Sequence, residues 1–204
     1  MARPTHPPAE IRRLWRGDMP LFRDHLLRLD SLSRHERFGG GMSDDFLFRY
    51  VASGFGAGDL AFGAFVDHKL RGVAELRSSA PISFTRPPLE RGVRAEAAFS
   101  VEAPYRRRGI GEMLFSRIAR AASNHGVEAI DIVCSPDNVG MMALARKFKM
   151  RLAFEENQIA GQLAAEPATA GSLLAEAGRD AKDLSASLVD ALRRAVERRA
   201  SRGA

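Results

Sequence analysis

The sequence predicts an α+β fold: a mixed, mostly antiparallel central sheet flanked by helices and followed by a helical C-terminal tail. Three observations carry that expectation. Runs with strand alternation and runs at helical spacing follow each other as strand, helices, hairpin, central strand, glycine loop, helix, strand, helix and hairpin. The stretch "YRRRGIG", Tyr105 to Gly111, lies just after the central strand and opens a helix. Beyond Ala165 the composition changes to Ala, Ser, Arg and Glu, which sets residues 9–164 apart from a tail at 165–204.

Each element has its own signal. "IRRLWRG" reads as a short strand ending at Gly17-Asp18. "MPLFRDHLLRLD" places Leu21, Phe22, His25, Leu26 and Leu29 at helical spacing, and "SLSRHERFGGG" is a helical turn running out into glycines. Ser43 is a good N-cap for "DDFLFRYVASGF", whose two aspartates suit a positive first turn. Two β-like runs around Asp67-His68-Lys69 form a hairpin, and "APISFTRPPLERG" is a loop because Pro87-Pro88 excludes regular structure. "VRAEAAFSVEA" alternates, with Ala97, Phe99 and Val101 on one face and Glu96, Ala98 and Ser100 on the other. "GIGEMLFSRIARAASNHG" is a helix with Ile110, Met113, Leu114, Ile118 and Ala121 on one stripe, stopping at Gly126. "VEAIDIVCS" is a strand, "PDNVGMMALARKFK" a helix starting near Asp137 or Asn138, and "MRLAFEENQIAGQLA" a hairpin turning at Glu156-Asn157. In the tail, Leu184, Leu188 and Leu192 recur at i, i+4 and i+8, the mark of an amphipathic helix.

Composition narrows the function classes. Hydrophobic residues make up 45% of 204, enough for a packed core. The net charge of +6, from 31 Lys+Arg against 25 Asp+Glu, is too small and scattered to imply nucleic acid. A lone cysteine, Cys134, excludes an internal disulfide framework and a cysteine-based zinc site, and fits a reducing, cytoplasmic setting. The histidines show no metal-ligand spacing, so no metal is expected. The N-terminus lacks the apolar core of a signal peptide, and no run approaches the ~18 apolar residues of a membrane span, so no membrane partner is expected.

The loop explains itself chemically as a phosphate cradle. A helix start offers free N–H groups and a partial positive charge. Glycines let phosphate oxygens approach the backbone, and arginines add charge-assisted bonds. No Gly-Lys-Ser/Thr follows, which excludes a P-loop, and the third glycine of G-x-G-x-x-G would fall at Leu114, which excludes the dinucleotide fingerprint. A basic surface turn before a helix is the plain alternative.

Arg106-x-x-Gly109-x-Gly111, between strand and helix, resembles the acyl-CoA pyrophosphate motif of the GNAT superfamily of N-acyltransferases. The resemblance covers about Ile11 to Ala164, and the whole element order agrees with the GNAT fold. "AEAAFSV" looks like the family's central strand with its glutamate, and "PDNVGMMALARKFKM" like its second acyl-CoA motif. Among members, "LLRLDSLSRHERF", "AEAAFSV" and "LARKFKM" look most like the GNAT domains of bacterial protein-lysine acetyltransferases.

That resemblance implies site roles. Backbone N–H groups of Arg107, Arg108, Gly109, Ile110 and Gly111 would hold the diphosphate of acetyl-CoA, with Arg106 at the motif's leading position. The side chains of Arg107 and Arg108 either reach the phosphates or stay solvated. The pantetheine arm would lie between the central strand and a splayed "IDIVCS", with an N–H near Ser100 or Val101 facing the thioester oxygen. Asn138 would bond the pantetheine region or simply cap a helix.

An amine attacks a thioester only when neutral, and a lysine-like amine titrates near about 10.4, so a base is needed. Glu96, expected on a partly buried strand with small face-mates, is the first candidate; Glu75 and Glu102 are reserves. Many family members place a thiolate-protonating tyrosine where this chain has Ala145, and a glycine where it has Lys149. Cys134 reads as a small apolar strand residue rather than a nucleophile.

The expected activity is acetyl transfer from acetyl-CoA to a primary amine, preferably a protein lysine, by direct attack in a ternary complex. A small-molecule amine acceptor and a non-catalytic acyl-CoA sensor are the alternatives. The leucine stripe of the tail would dock on the domain, pair with a second copy to give a homodimer, bind another partner, or stay solvated.

Overall fold

A computed structural model describes residues 8–56, 58–78, 93–155 and 157–200 of the chain. The expected Pro87-Pro88 loop lies outside the described residues, as does Glu156 of the final turn. In chain order the elements are β1 (Glu10–Arg13), α1 (Met19–Leu27), α2 (Ser31–Phe38), α3 (Asp44–Ala52), β2 (Leu60–Val66), β3 (Lys69–Ser78) and β4 (Arg94–Val101). They continue with α4 (Ile110–Asn124), β5 (Ala129–Cys134), α5 (Val139–Lys147), β6 (Arg151–Glu155), β7 (Gln158–Ala164) and α6 (Ala170–Ala200).

The strands form one seven-stranded sheet in the order β1-β2-β3-β4-β5-β7-β6. Every neighbouring pair is antiparallel except β4 and β5, which run parallel. The sheet is therefore mixed and mostly antiparallel, as the sequence predicts. The β2–β3 hairpin turns at Asp67 and His68, both in the left-handed region at φ 49° and 59°, the signature of a two-residue primed turn.

Two cores sandwich the sheet. On one face α4 packs Ile110, Leu114, Phe115 and Ile118 against Phe62, Ala74, Leu76 and Ile130. The helix stripe runs through Phe115 rather than the expected Met113, which is 40% exposed. On the other face α1 and α3 bring Phe22, Leu26, Leu47 and Val51 onto Ala61, Phe65, Leu70 and Val73. Strand β2 is buried along its whole length because both cores need it. Each fully buried Phe or Leu contributes roughly 1.5–3 kcal/mol relative to exposure.

Two local departures have physical causes. The first strand stops at Arg13 rather than continuing to Gly17, because the Asp18 carboxylate pulls the chain into a 3-10 turn at Arg16–Asp18. Asp18 accepts from both terminal nitrogens of Arg12 at 2.9 Å and from the Trp15 N–H at 3.0 Å. Burial pushes its carboxyl up, and the Arg12 and Trp15 bonds more than offset that, holding it below the usual range. At Lys149 the chain takes a left-handed φ of 54°, so the lysine keeps the turn that a glycine would favour.

Helix α6 docks by its polar face. Glu176, Asp183 and Ser187 are buried, while Leu184, Leu188 and Leu192 face outward. Arg12 bonds Asp190 at 3.0 Å, the Arg13 N–H bonds Asp183 at 2.7 Å, and Arg13 pairs with Asp180 at 2.5 Å. Arg117 of α4 grips both oxygens of Glu176 at 2.8 and 2.9 Å. The contact with the domain is thus ionic, and the leucine stripe takes no part in it.

Candidate active site

The site begins with a gap between the two parallel strands. β4 and β5 pair only at Arg94–Ala129, Ala95–Ile130 and Glu96–Asp131. Beyond that point β4 stays on β3 as far as Val101–Gly72, and β5 stays on β7 as far as Cys134–Ile159. The strands splay, leaving a wedge that opens toward their C-terminal ends. N–H groups alternate sides along a strand. The Glu102 N–H donates to the Arg71 carbonyl at 3.0 Å on the β3 side. Those of Phe99 and Val101 therefore point into the wedge. Of the two oxyanion candidates, Val101 has the backbone orientation for the role, whereas Ser100 turns its N–H to β3.

At the mouth of the wedge the loop forms a concave run of donors. Arg107 and Gly109 take left-handed φ values of 60° and 79°, and Gly109 caps the 15-residue α4. Alternating left-handed residues turn successive N–H groups toward one point, an anion nest, and the helix dipole adds to it. Among the described residues, no acceptor is found for the N–H groups of Arg107, Arg108, Gly109, Ile110 or Gly111. A Cβ placed on Gly109 meets nothing within 4 Å, so the cradle is open above it. These residues fit a diphosphate.

The arginine side chains divide the work. Arg106 turns away from the cradle, bonding the Val101 carbonyl at 3.2 Å, Ser33 at 2.7 Å and Glu36 at 3.1 Å, and so straps α2 to the end of β4. Arg107 and Arg108 are exposed, and the Arg108 guanidinium lies 4.9 Å from the centre of the Tyr105 ring. Asn138 caps α5, its Oδ1 accepting from the Met141 N–H at 3.0 Å, which leaves its amide N–H groups for another partner.

The carboxylates on the opposite face of the sheet differ sharply. Glu96 is exposed, between Arg77 and Asp131 in the strand register, and forms no ion pair among the described residues. The partly buried setting expected for it is not found; the β4–β5 pairing ends beside it and leaves it at the surface. Glu75 is 2% exposed and is claimed by Arg37, by Tyr50 at 2.9 Å and by Arg77 at 3.1 Å. Burial, then the charge of Glu75, pushes the Tyr50 hydroxyl up. Glu102 is equally committed, to His25 at 3.2 Å, Arg28 at 2.9 Å and Arg71 at 2.7 Å. Burial pushes the Glu102 carboxyl up, but the bonds from His25, Arg71 and Arg28 more than offset it and hold it low.

Sequence reasoning missed His25. Its Nε2 lies 2.9 Å from Ser100 Oγ and its Nδ1 faces Glu102, so Nδ1 carries the hydrogen and Ser100 donates to Nε2. Burial lowers the His25 pKa and keeps the ring neutral. With two guanidiniums already compensating Glu102, a third positive charge is disfavoured. The trio pins α1 to β4 and fixes the strand end where Val101 sits. A histidine inside an otherwise apolar helix stripe, with Ser100 and Glu102 two residues apart on one strand face, is the signal that could have found it.

Ala145, at the position of the family tyrosine, is fully buried and offers no hydroxyl. Cys134 is buried in the first core, and burial pushes its thiol up, as for an unreactive cysteine. His125, Glu176 and Asp180 have ligand atoms within 4.8 Å of one another, but Arg117 and Arg13 already balance the two acids. That cluster lies within the ionic dock of α6.

Residues 24–150 match the model of the acetyltransferase (GNAT) family, and the chain belongs to that family. It is a GNAT-type N-acetyltransferase, and enzymes of the family use acetyl-CoA. No curated protein matches the sequence. Among solved structures, the chain is similar to the GNAT domain of S. lividans PAT, with a TM-score of 0.62 and 18% identity over 76% of this chain and 90% of that one. It is also similar to the ribosomal-protein-S18-alanine N-acetyltransferase of Escherichia coli, with a TM-score of 0.58 and 17% identity over 79% and 97%. A cAMP-binding acyltransferase from Mycobacterium smegmatis aligns at a TM-score of 0.53 and 16% identity, over 87% of this chain and 51% of that one.

Proposed function

We propose that the chain moves an acetyl group from acetyl-CoA to the side-chain amine of a protein lysine, by direct attack in a ternary complex in the cytoplasm. The observation that carries the reading is the alignment of the donor cradle at Arg107–Gly111 with the wedge between β4 and β5. Acetyl-CoA supplies the activated acetyl thioester. The cradle N–H groups hold its diphosphate, and Arg107 and Arg108 add charge at the rim. Asn138 offers its amide hydrogens to the pantetheine region. The Val101 N–H stabilises negative charge developing on the thioester oxygen.

Glu96 is the base. Of the three carboxylates considered, it alone has no cation bound to it among the described residues. Being exposed, it takes the amine proton directly or through water. No hydroxyl stands at Ala145, so the departing thiolate receives its proton from water or from the attacking amine. The catalytic unit spans residues 9–164, with α6 as a docked brace. The similar structures include both a ribosomal-protein-alanine N-acetyltransferase and a phosphinothricin N-acetyltransferase, so the protein acceptor rests on the likeness of the sequence to protein-lysine acetyltransferases.

Glu96→Gln tests the assignment. General-base contributions run to about 10²–10⁴-fold, and kcat is expected to fall by that order with acetyl-CoA affinity unchanged. Alkaline pH restores part of the rate, because neutral amine then exists without help. Wild-type turnover in Glu96→Gln would remove the base from this strand. A second reading, an acyl-CoA sensor without turnover, draws on the buried pairing of Glu75 and Glu102 and on Ala145. It is adopted if no amine is ever acetylated while CoA still binds.

A further inference from the structure

Helix α6 is held on the domain by one face and bare on the other. The docking face carries Glu176, Asp183 and Ser187, all buried. On the far side, Leu174, Leu188, Leu192 and Val196 are each more than half exposed, with Leu173 at 45% and Leu184 at 40%. Ala177 and Ala181, also exposed, complete the seam. Leu174, Ala177, Ala181, Leu184 and Leu188 follow each other at steps of three and four, the spacing of a helix-pairing stripe.

We propose that this stripe joins two copies of the chain by antiparallel pairing of their α6 helices, about a two-fold axis passing near residues 182 and 183. The sizes along the stripe select that register. It sets Leu184 of one copy on Ala181 of the other and Leu188 on Ala177, so that these leucines fill the hollows over alanines, while Leu192 meets Leu173 at each end. A parallel pairing would set alanine on alanine at 177 and 181 and leave voids. Charge agrees with the antiparallel choice. The two helix dipoles then run in opposition, which favours the antiparallel arrangement.

The area is sufficient. The exposed leucines, valine and alanines of the stripe offer at most about 600 Å² per copy, so pairing buries up to ~1,200 Å², the size of a small interface. The ion pairs to Arg12, Arg13 and Arg117 already order the helix, so association does not have to form it. Contact between α6 and α4 lies at Arg117 and Asn124, in the half of α4 away from the cradle, so a dimer leaves the wedge open.

Sedimentation equilibrium of the full chain across micromolar concentrations is expected to give a dimer. Leu188→Glu, at an exposed position, is expected to weaken it at least about thirtyfold, with thermal stability of the monomer and basal acetyl transfer retained. Leu192→Lys serves as a second disruption should the first fold poorly. In a Cys134→Ser background, oxidation of mixed Ala177→Cys and Leu188→Cys chains is expected to give a disulfide between the two variants, and Ala177→Cys alone none. The proposal is overturned by a wild-type monomer throughout, by a dimer indifferent to both charge substitutions, or by Ala177→Cys linking to itself. It is equally overturned if the stripe instead carries monomers onto vesicles of phosphatidylcholine and phosphatidylserine.

Discussion

Gly109→Asp separates ligand binding from folding, and the structure fixes the size of each effect. The residue sits at φ +79°, where a side chain costs about 1–2 kcal/mol. Aspartate tolerates that region better than most, and loss of unfolded-state freedom returns about 0.4–1 kcal/mol. An added Cβ meets nothing within 4 Å, so there is no steric cost. The net loss is about 1 kcal/mol, which lowers Tm by about 2–4 °C in a chain of this size. Binding responds far more. A carboxylate about 5 Å from a doubly charged diphosphate, at an effective dielectric of about 40–80, repels it by roughly 2–3 kcal/mol. Titration calorimetry with CoA is therefore expected to show about a thirty- to two-hundredfold weaker complex, while Gly109→Ala, with similar strain and no charge, loses much less. Wild-type affinity in the Asp variant, with the fold intact, would refute the cradle.

Three other outcomes follow from the packing. Removing residues after Ala165 strips four acids from Arg12, Arg13, Arg117 and their surroundings; CoA affinity is expected to stay within about twofold while Tm falls by about 5–10 °C, and an unchanged melt would contradict the ionic dock. His125 is pushed down to about 4 by burial and then by Arg13, so the native state binds fewer protons than the unfolded state between pH 6.5 and 4. Its contribution is present above pH 6.5 and lost as pH falls through that window, up to about 3 kcal/mol, with Asp180 and Asp183, both raised by burial, acting in the opposite sense; His125→Gln is expected to flatten the acid side of a Tm-versus-pH curve, and an unchanged slope would place the titration elsewhere. Lys149→Gly relieves the left-handed strain at φ 54° and is expected to raise Tm by a few degrees, by about 1 kcal/mol less the entropy a glycine brings; a lower Tm would mean that the lysine side chain matters more than the backbone.

Local patterns made most of the fold readable. The strand, glycine loop and helix around Gly109 were legible because their requirements are local: two glycines, a preceding strand and a following helix lie within a few residues of one another. The faces of β4 were legible because strand alternation assigns them, and Asp30, Ser43 and Asn138 cap their helices with side-chain bonds of the usual kind. What stayed hidden depends on distant partners. Nothing near Glu96 in sequence tells that β5 leaves β4 beside it, so its exposure was not foreseen. The pairing of Glu75 with Arg37, and of Glu102 with His25, Arg28 and Arg71, joins residues 31 to 77 positions apart. The leucines of α6 left its docking open among several alternatives, and the acids on its other face find their arginines on β1 and α4 only in space.

The most direct test of the account is acetyl-CoA turnover against a mixed panel of lysine peptides and small amines, with the acetylated product identified by mass and fragmentation. The account predicts CoA release matched by amide formation on lysine side chains, a rate lower by about 10²–10⁴-fold in Glu96→Gln, and little product from the small amines. Acetylation confined to small amines would contradict the lysine assignment. CoA binding with no acetylated amine of any kind would contradict the catalytic claim itself.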